Sequence, residues 1–330
     1  MSTFRAYRIH QADKGVRTAL ETLSLDDLTP GEVVIRGRYS SINYKDALAA
    51  TGAGRILKRF PLVGGIDVAG EVVQSEDARY SPGDAVLVTG CGLGEEFDGG
   101  YAEYTRVRGD SVIPLPPEMD AVAAMRIGTA GFTAALAVHR LEHNGLAPDK
   151  GRVIVTGATG GVGSVAVDIL AGRGYAVTAL TGKRDERDYL LGLGAAEVLV
   201  RGEVEMGTRP LEKSLWAGAV DNLGGETLAW LTRTMDWWGS IACIGLAQSH
   251  ELHGTVMPFI LRGVNLLGIN SVATPRALRL KVWERLGSDL APRHLDAIGS
   301  RSVPLSQLDG AFAPFLEGKS RGRVLVDLHA

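Results

Sequence analysis

The chain has 330 residues, 45% apolar and 22% charged, with a formal net charge of −3 and a pI of about 6.2. That length exceeds what one hydrophobic core usually serves, so two domains are expected. The lack of a basic excess argues against nucleic acid as a partner. Cys91 and Cys243 are the two cysteines, too few for a disulfide framework and suited to a reducing cytoplasm. The opening "MSTFRAYRIHQADKG" lacks the apolar core of a signal peptide. No run of eighteen apolar residues predicts a membrane span.

Residues 1–125 read mostly as short strands. Glu32–Asn43, Asp67–Gln74, Asp84–Gly90 and Ala102–Val107 are rich in β-branched residues and separated by "TPGE", "SPGD" and "DGGY", a spacing that predicts a β-barrel-like domain. A long helical stretch follows from Asp120, interrupted by Gly128–Gly131. Strand and helix then alternate. "RVIVTG" is a buried strand, "GVGSVAVDILAGRG" a helix, "YAVTALTG" a strand, "DERDYLLGLGA" a helix, and "EVLVRG", "WAGAVD" and "SIACIGLA" are strands. Such alternation predicts a parallel sheet with helical crossovers. Val264–Ser271 is expected as an edge strand, Arg276–Leu286 as a helix and Gly322–Leu328 as a closing strand.

The stretch Ala158-Thr159-Gly160-Gly161-Val162-Gly163 lies where a dinucleotide-binding turn belongs, between a buried strand and an amphipathic helix. It departs from G-x-G-x-x-G in having alanine first, with Gly157 before it. Gly160 lets the backbone approach a pyrophosphate, Gly163 lets helix pack on strand, and the helix N-terminus supplies N–H donors. The second strand ends Thr181-Gly182-Lys183-Arg184, with no acid before Asp185. A carboxylate there would favour NAD; a hydroxyl, a small residue and two cations favour the 2′-phosphate of NADPH.

"GTAGFTA", "TGATGGVGS", "SSINYKDALAATG" and "PLVGGIDVAGEV" resemble the medium-chain dehydrogenase/reductase superfamily, in its zinc-free, quinone-oxidoreductase-like branch. "NYKDALAATGAGRILKRFP", "RPLEKSLWAGAVDNLGG" and "TVMPFILRGVNLLGINSV" further resemble NADPH-dependent acrylyl-CoA reductases. The resemblance covers essentially the whole chain. It implies an α/β protein in which a Rossmann doubly wound parallel sheet, residues 126–269, is inserted into a GroES-like β-barrel catalytic domain of residues 1–125 and 270–330. It also implies a homodimer joined through the edge strand, with the cofactor lying between the domains. Zinc-dependent relatives carry a ligating cysteine where this chain has Asn43 and a histidine where it has Ile66; neither serves, and no metal is expected. His139 and His143 lack a third ligand nearby, and His250 and His253 fall in a polar loop.

The implied reaction is reduction of the activated C=C of acrylyl-CoA to propionyl-CoA. Charge develops on the thioester oxygen and must meet preorganised donors. Tyr44 and Asn43 are the catalytic candidates, in a loop after a strand. Two roles stand open for Tyr44: donating a hydrogen bond or proton, or stacking as a wall beside the nicotinamide. Asn43 orients the loop or touches substrate, and Asp46 is read as structural. Family position adds Arg201, Leu246, Ala247, Ile260, Ser271 and Arg323 to Thr159–Gly163 and Thr181–Arg184 as cofactor contacts. Arg55, Lys58 and Arg59 are candidates for the CoA phosphates, with a solvated basic loop as the alternative. A quinone or alkenal reductase is the competing enzyme reading. An NADPH-binding protein without turnover is the reading from another class, since fold alone does not fix function.

Overall fold

The computed structural model describes residues 3–330. The chain divides into two compact units, one of Met1–Thr129, Val272–Gly287 and Leu295–Ala330, the other of Ala130–Ser271 and Ser288–His294.

The first unit begins with β1 (Phe4–Gln11), β2 (Val16–Leu23), β3 (Val33–Ile42), α1 (Tyr44–Thr51), β4 (Leu62–Val63), β5 (Asp67–Ser75), β6 (Ala85–Thr89), β7 (Tyr104–Val107) and β8 (Ile113–Pro114). β3 is the hub. Its central residues alternate between buried and exposed, as a strand with one face on a core must. It pairs antiparallel with β5 and β7. Sequence reading missed β1, which pairs with β2 and β4 in a three-stranded sheet. α1 was missed too: Tyr44 opens a helix rather than lying in a loop. The helix starts one residue after β3, with Asn43 as its cap, and its buried residues are mostly alanines, so no amphipathic stripe announces it.

α2 (Ala121–His143) carries non-helical Gly128 inside it, at φ 52° and ψ −162°. The interruption expected at Gly128–Gly131 is thus a single-residue kink. By length and hydropathy α2 is apolar enough to cross a membrane, but 72% of its most apolar window is buried inside the protein.

The second unit is built on β9 (Val153–Thr156), α3 (Gly161–Gly172), β10 (Val177–Thr181), α4 (Arg187–Gly192), β11 (Glu197–Val200), β12 (Trp216–Asp221), α5 (Gly225–Thr234), β13 (Met235–Cys243), α6 (Met257–Arg262) and β14 (Asn265–Gly268). The sheet order is β11-β10-β9-β12-β13-β14, with every pair parallel. This is the doubly wound dinucleotide-binding order, reversing between β9 and β12, and ligands bind beyond the carboxyl ends of such strands at the reversal. All four residues of β9 are buried, as the continuous apolar run demands of a central parallel strand.

The chain closes with α7 (Arg276–Leu286), α8 (Leu295–Ile298), β15 (Arg301–Pro304), α9 (Leu308–Leu316) and β16 (Val324–Asp327). β16 lies between β15 and β3, with Val324 opposite Ile42. The C-terminal strand therefore completes the large sheet of the first unit and delivers Arg323 beside Asn43. Between α7 and α8, Ser288–His294 joins the second unit, a return the sequence did not signal. There His294 holds the buried Asp168 of α3, its backbone N 2.9 Å and its Nδ1 2.8 Å from the carboxylate.

Candidate active site

In the second unit, the turn between β9 and α3 has the form a phosphate cradle needs. Gly157 takes φ +58°, a region open to glycine at little cost. A Cβ on Gly163 would lie 2.4 Å from the Gly157 carbonyl oxygen, so only glycine lets α3 seat on the turn. Thr159 is buried, while Gly160, Gly161 and Val162 are partly accessible. The first-turn amides of the twelve-residue α3 have no intrahelical acceptors and point outward.

The tip of β12 locks onto this turn. Thr156 Oγ1 donates to Asp221 Oδ1 at 2.7 Å and accepts from the Asn222 backbone at 3.0 Å. Asn222 Nδ2 donates to the Thr156 carbonyl at 2.7 Å. Asp221 also accepts from the Gly224 backbone at 2.9 Å, and burial pushes its carboxyl above the usual range. Asn222 Oδ1 is buried without a hydrogen-bond partner. An orphan acceptor at the strand-order reversal, beside a glycine cradle, fits a dinucleotide that donates hydrogen bonds there. Sequence reasoning missed Asn222; its position directly after the β12 strand was the available signal.

At the far side of the sheet, Thr181 ends β10 opposite Val200 of β11. That register puts Gly182–Arg184 beside Arg201–Glu203. A Cβ on Gly182 would lie 3.6 Å from Arg201 Nη2, so the Arg201 guanidinium stands beside the exposed Gly182. Lys183 is half-buried and Arg184 exposed. Thr159–Gly163, Thr181–Arg184 and Arg201 thus share the carboxyl edge of one sheet. Leu246 and Ala247 are exposed just past β13 at that same edge, Ile260 is exposed on α6, and Ser271 is half-buried after β14.

In the first unit, a buried polar network gathers around Asn43, the residue before Tyr44. Asp67, wholly inaccessible, accepts from Ser41 Oγ at 2.7 Å and Asn43 Nδ2 at 2.8 Å. It also accepts from the Thr129 backbone at 3.0 Å and from Thr129 Oγ1 at 2.5 Å. Arg323 Nη2 stands 3.5 Å from its Oδ2. The kink at Gly128 makes room, since a Cβ there would fall 2.4 Å from Arg323 Nη2 and 2.6 Å from Asp67 Oδ2. Asp46 lies alongside. Its Oδ2 accepts from the Asn43 backbone at 2.8 Å and its Oδ1 from the Ile66 backbone at 3.0 Å. Burial, reinforced by the nearby Asp67 charge, pushes its carboxyl up to about 7. Burial also pushes the Tyr101 hydroxyl well above its ordinary range.

This network bears on two expectations. Arg323 does not face a cofactor or substrate phosphate. It is 2% exposed, and its nitrogens are held by the Arg126 and Ile42 carbonyls, Asn43 Oδ1, Ser41 Oγ and Asp67. Of the two roles open for Asn43, its surroundings favour orienting: it is buried, caps α1, and its amide is engaged by Asp46, Asp67 and Arg323. Tyr44, by contrast, is 49% exposed at the start of α1. Asp67, Thr129, Ser41 and Tyr101 were missed; an acid amid the glycines and valines of "VGGIDVAGEV" was the one available hint.

Arg55, Lys58 and Arg59 lie exposed in the loop after α1. Lys58 is paired with Glu96, and Lys45 with Glu95 at 2.9 Å. The loop is therefore less positive than its sequence suggests, with Arg55 and Arg59 its unneutralised cations. Among the described residues, no three His, Cys, Asp or Glu side chains gather as a metal site. Cys91 and Cys243 are free.

Residues 29–117 match the alcohol dehydrogenase GroES-like domain. The putative quinone oxidoreductase YhfP of Bacillus subtilis is 49% identical over 330 residues, covering 99% of this chain and 100% of that protein. The chain belongs to the medium-chain dehydrogenase/reductase superfamily, in its quinone-oxidoreductase-like branch. The crystal structure of YhfP with NAD bound superposes at a TM-score of 0.97 over 99% of this chain and 100% of that one, at 48% identity. The acrylyl-CoA reductase AcuI of Ruegeria pomeroyi, a family member, is 48% identical over 99% of this chain and 100% of its own length. The yhdH oxidoreductase of Salmonella enterica in complex with NADP superposes at 0.95, with 44% identity over 98% and 99% of the two chains. The family's α/β fold, a GroES-like domain with a Rossmann sheet, is the one described above.

Proposed function

We propose that this protein is a cytoplasmic, NADPH-dependent, zinc-independent reductase of acrylyl-CoA to propionyl-CoA. The observation that most directly supports the substrate is the full-length identity of 48% with a protein named as an acrylyl-CoA reductase. The name of YhfP supports a second reading, a quinone reductase on the same scaffold.

NADPH, when bound, supplies the hydride. The α3 amides and Thr159–Gly163 hold its pyrophosphate, and Lys183, Arg184 and Arg201 hold its 2′-phosphate. Leu246, Ala247, Ile260 and Ser271 line the rest of its path. Tyr44, half-exposed beside the buried network's Asn43, donates from its hydroxyl toward the thioester oxygen, where negative charge develops. Asn43, Asp46, Asp67 and Arg323 fix the start of α1 and so aim Tyr44. Arg55 and Arg59 attract the CoA phosphates.

The protein acts as a homodimer, with β14 of two copies pairing across a two-fold axis. An edge strand presents unpaired N–H and C=O groups to such a partner. Asp236, Trp237, Trp238 and Gly239 bulge out of β13 opposite Ala217 alone, leaving Trp237 67% and Trp238 75% exposed. Exposed apolar groups of that size mark association surfaces.

The test is NADPH oxidation by purified protein with acrylyl-CoA, crotonyl-CoA, a simple quinone and an alkenal in parallel. Selective turnover of acrylyl-CoA supports the proposal. Fast quinone or alkenal reduction with an idle thioester overturns it in favour of the second reading.

A further inference from the structure

Arg184 does not wait alone at the tip of β10. Its guanidinium is held by Glu203, which closes the short helical turn Arg201–Glu203 after β11. The in-register pairing of Thr181 with Val200 makes the two tips neighbours. One edge of the sheet therefore offers three cations, Lys183, Arg184 and Arg201, and a carboxylate that grips one of them. Asp185 and Glu186 follow in the turn that opens α4.

We propose that Glu203 sets the preference between NADPH and NADH by competing with the 2′-phosphate for Arg184. The proposal rests on the reading of Lys183, Arg184 and Arg201 as the 2′-phosphate contacts. The ribose 2′ group of a dinucleotide sits beyond the end of the second strand of its sheet, here β10. With NADPH, the phosphate brings close to two negative charges to a guanidinium already partnered by a carboxylate. Arg184 must turn from Glu203 or bridge both groups, which its five donors permit. Either way the Glu203 charge opposes the phosphate. With NADH no phosphate arrives, the Arg184–Glu203 pair stays closed, and the carboxylate is of the kind that accepts a hydrogen bond from a 2′-hydroxyl. Glu203 thus lowers affinity for NADPH and does not lower it for NADH.

The pair is exposed, with side chains 75% and 52% accessible, so substitutions there are expected to fold normally. NADPH and NADH are titrated into the wild type, Glu203→Gln, Arg184→Gln and the double variant, following nucleotide fluorescence with no substrate present. Glu203→Gln is expected to tighten NADPH about three- to tenfold, the effect of removing one solvent-screened charge near the phosphate, without tightening NADH. Arg184→Gln is expected to weaken NADPH more in the Glu203→Gln background than in the wild type, as coupled residues require. Equal changes for both nucleotides, or an unchanged NADPH:NADH ratio, overturn the role of Glu203. If Arg184→Gln weakens NADPH while Glu203→Gln leaves the ratio unchanged, only this proposal fails. If neither Arg184→Gln nor the double variant alters NADPH binding, the 2′-phosphate reading falls with it.

Discussion

Arg323 and Asp67 form an ion pair sealed from solvent, with Nη2 3.5 Å from Oδ2 and side-chain exposures of 2% and 0%. Each charge is also met by neutral partners: carbonyls, Asn43 and the Ser41 hydroxyl for Arg323, and Ser41, Asn43 and Thr129 for Asp67. Burial pulls the guanidinium below its ordinary range, and the Asp67 charge offsets only part of that pull.

Removing one partner leaves the other buried and uncompensated, which costs about 3–5 kcal/mol. Arg323→Gln is therefore expected to lower unfolding free energy by that order in urea denaturation. NADPH binding at the glycine turn is expected to survive wherever the variant remains folded. An unchanged denaturation midpoint with weakened NADPH binding would return Arg323 to the role of phosphate contact.

Asp46 gives the stability a pH dependence of defined sign. Its carboxyl ionises near 3.8 when unfolded and at about 7 when folded. Between those values the native state binds the extra proton, so unfolding free energy falls as pH rises and the stabilisation is lost above about 7. Denaturation curves at pH 5, 6, 7 and 8 should show this decline. Asp46→Asn should flatten it while lowering stability overall, because the amide cannot accept all the bonds now made by Asn43 and Ile66.

Gly163→Ala places a methyl group 2.4 Å from the Gly157 carbonyl oxygen. The turn or α3 must shift, and preorganised phosphate contacts are sensitive to displacements of this size. The dissociation constant for NADPH is expected to rise at least tenfold, on the order of 1.4 kcal/mol. Isothermal titration would measure it.

Tyr44→Phe keeps the ring and removes the hydroxyl. If the hydroxyl steadies charge on the thioester oxygen, kcat should fall about 10- to 100-fold with little change in the KM for NADPH. A stacking wall would leave kcat nearly intact, so steady-state kinetics separates the two roles.

Trp238 holds a left-handed backbone, φ +62°, and packs against Gly263, where a Cβ would fall 2.6 Å from its ring. Trp238→Asp places charge on the exposed bulge beside the start of β14, in the proposed dimer surface, and is expected to shift the protein to monomer in sedimentation velocity. Persistence of a dimer would locate the association surface elsewhere.

The sequence by itself determined the dinucleotide half of the molecule. A buried apolar strand, a glycine turn, an amphipathic helix and a cationic second-strand tip are local patterns, and local sterics decide them: Gly163 is required by an atom only six residues away. Even the kink at Gly128 left its mark as a glycine amid a helical run. What the sequence could not decide was which charges are inside. Arg323 reads as a cofactor contact until β16 pairs with β3 and carries it in beside Asn43. Asp67 reads as a strand's first residue until the α2 kink sets Thr129 upon it. The grip of Glu203 on Arg184, and the return of His294 to Asp168, likewise depend on tertiary neighbours. The physical reason is the same in each case: the state and reach of a charged side chain depend on burial and on partners distant in sequence, and only the closed fold supplies both.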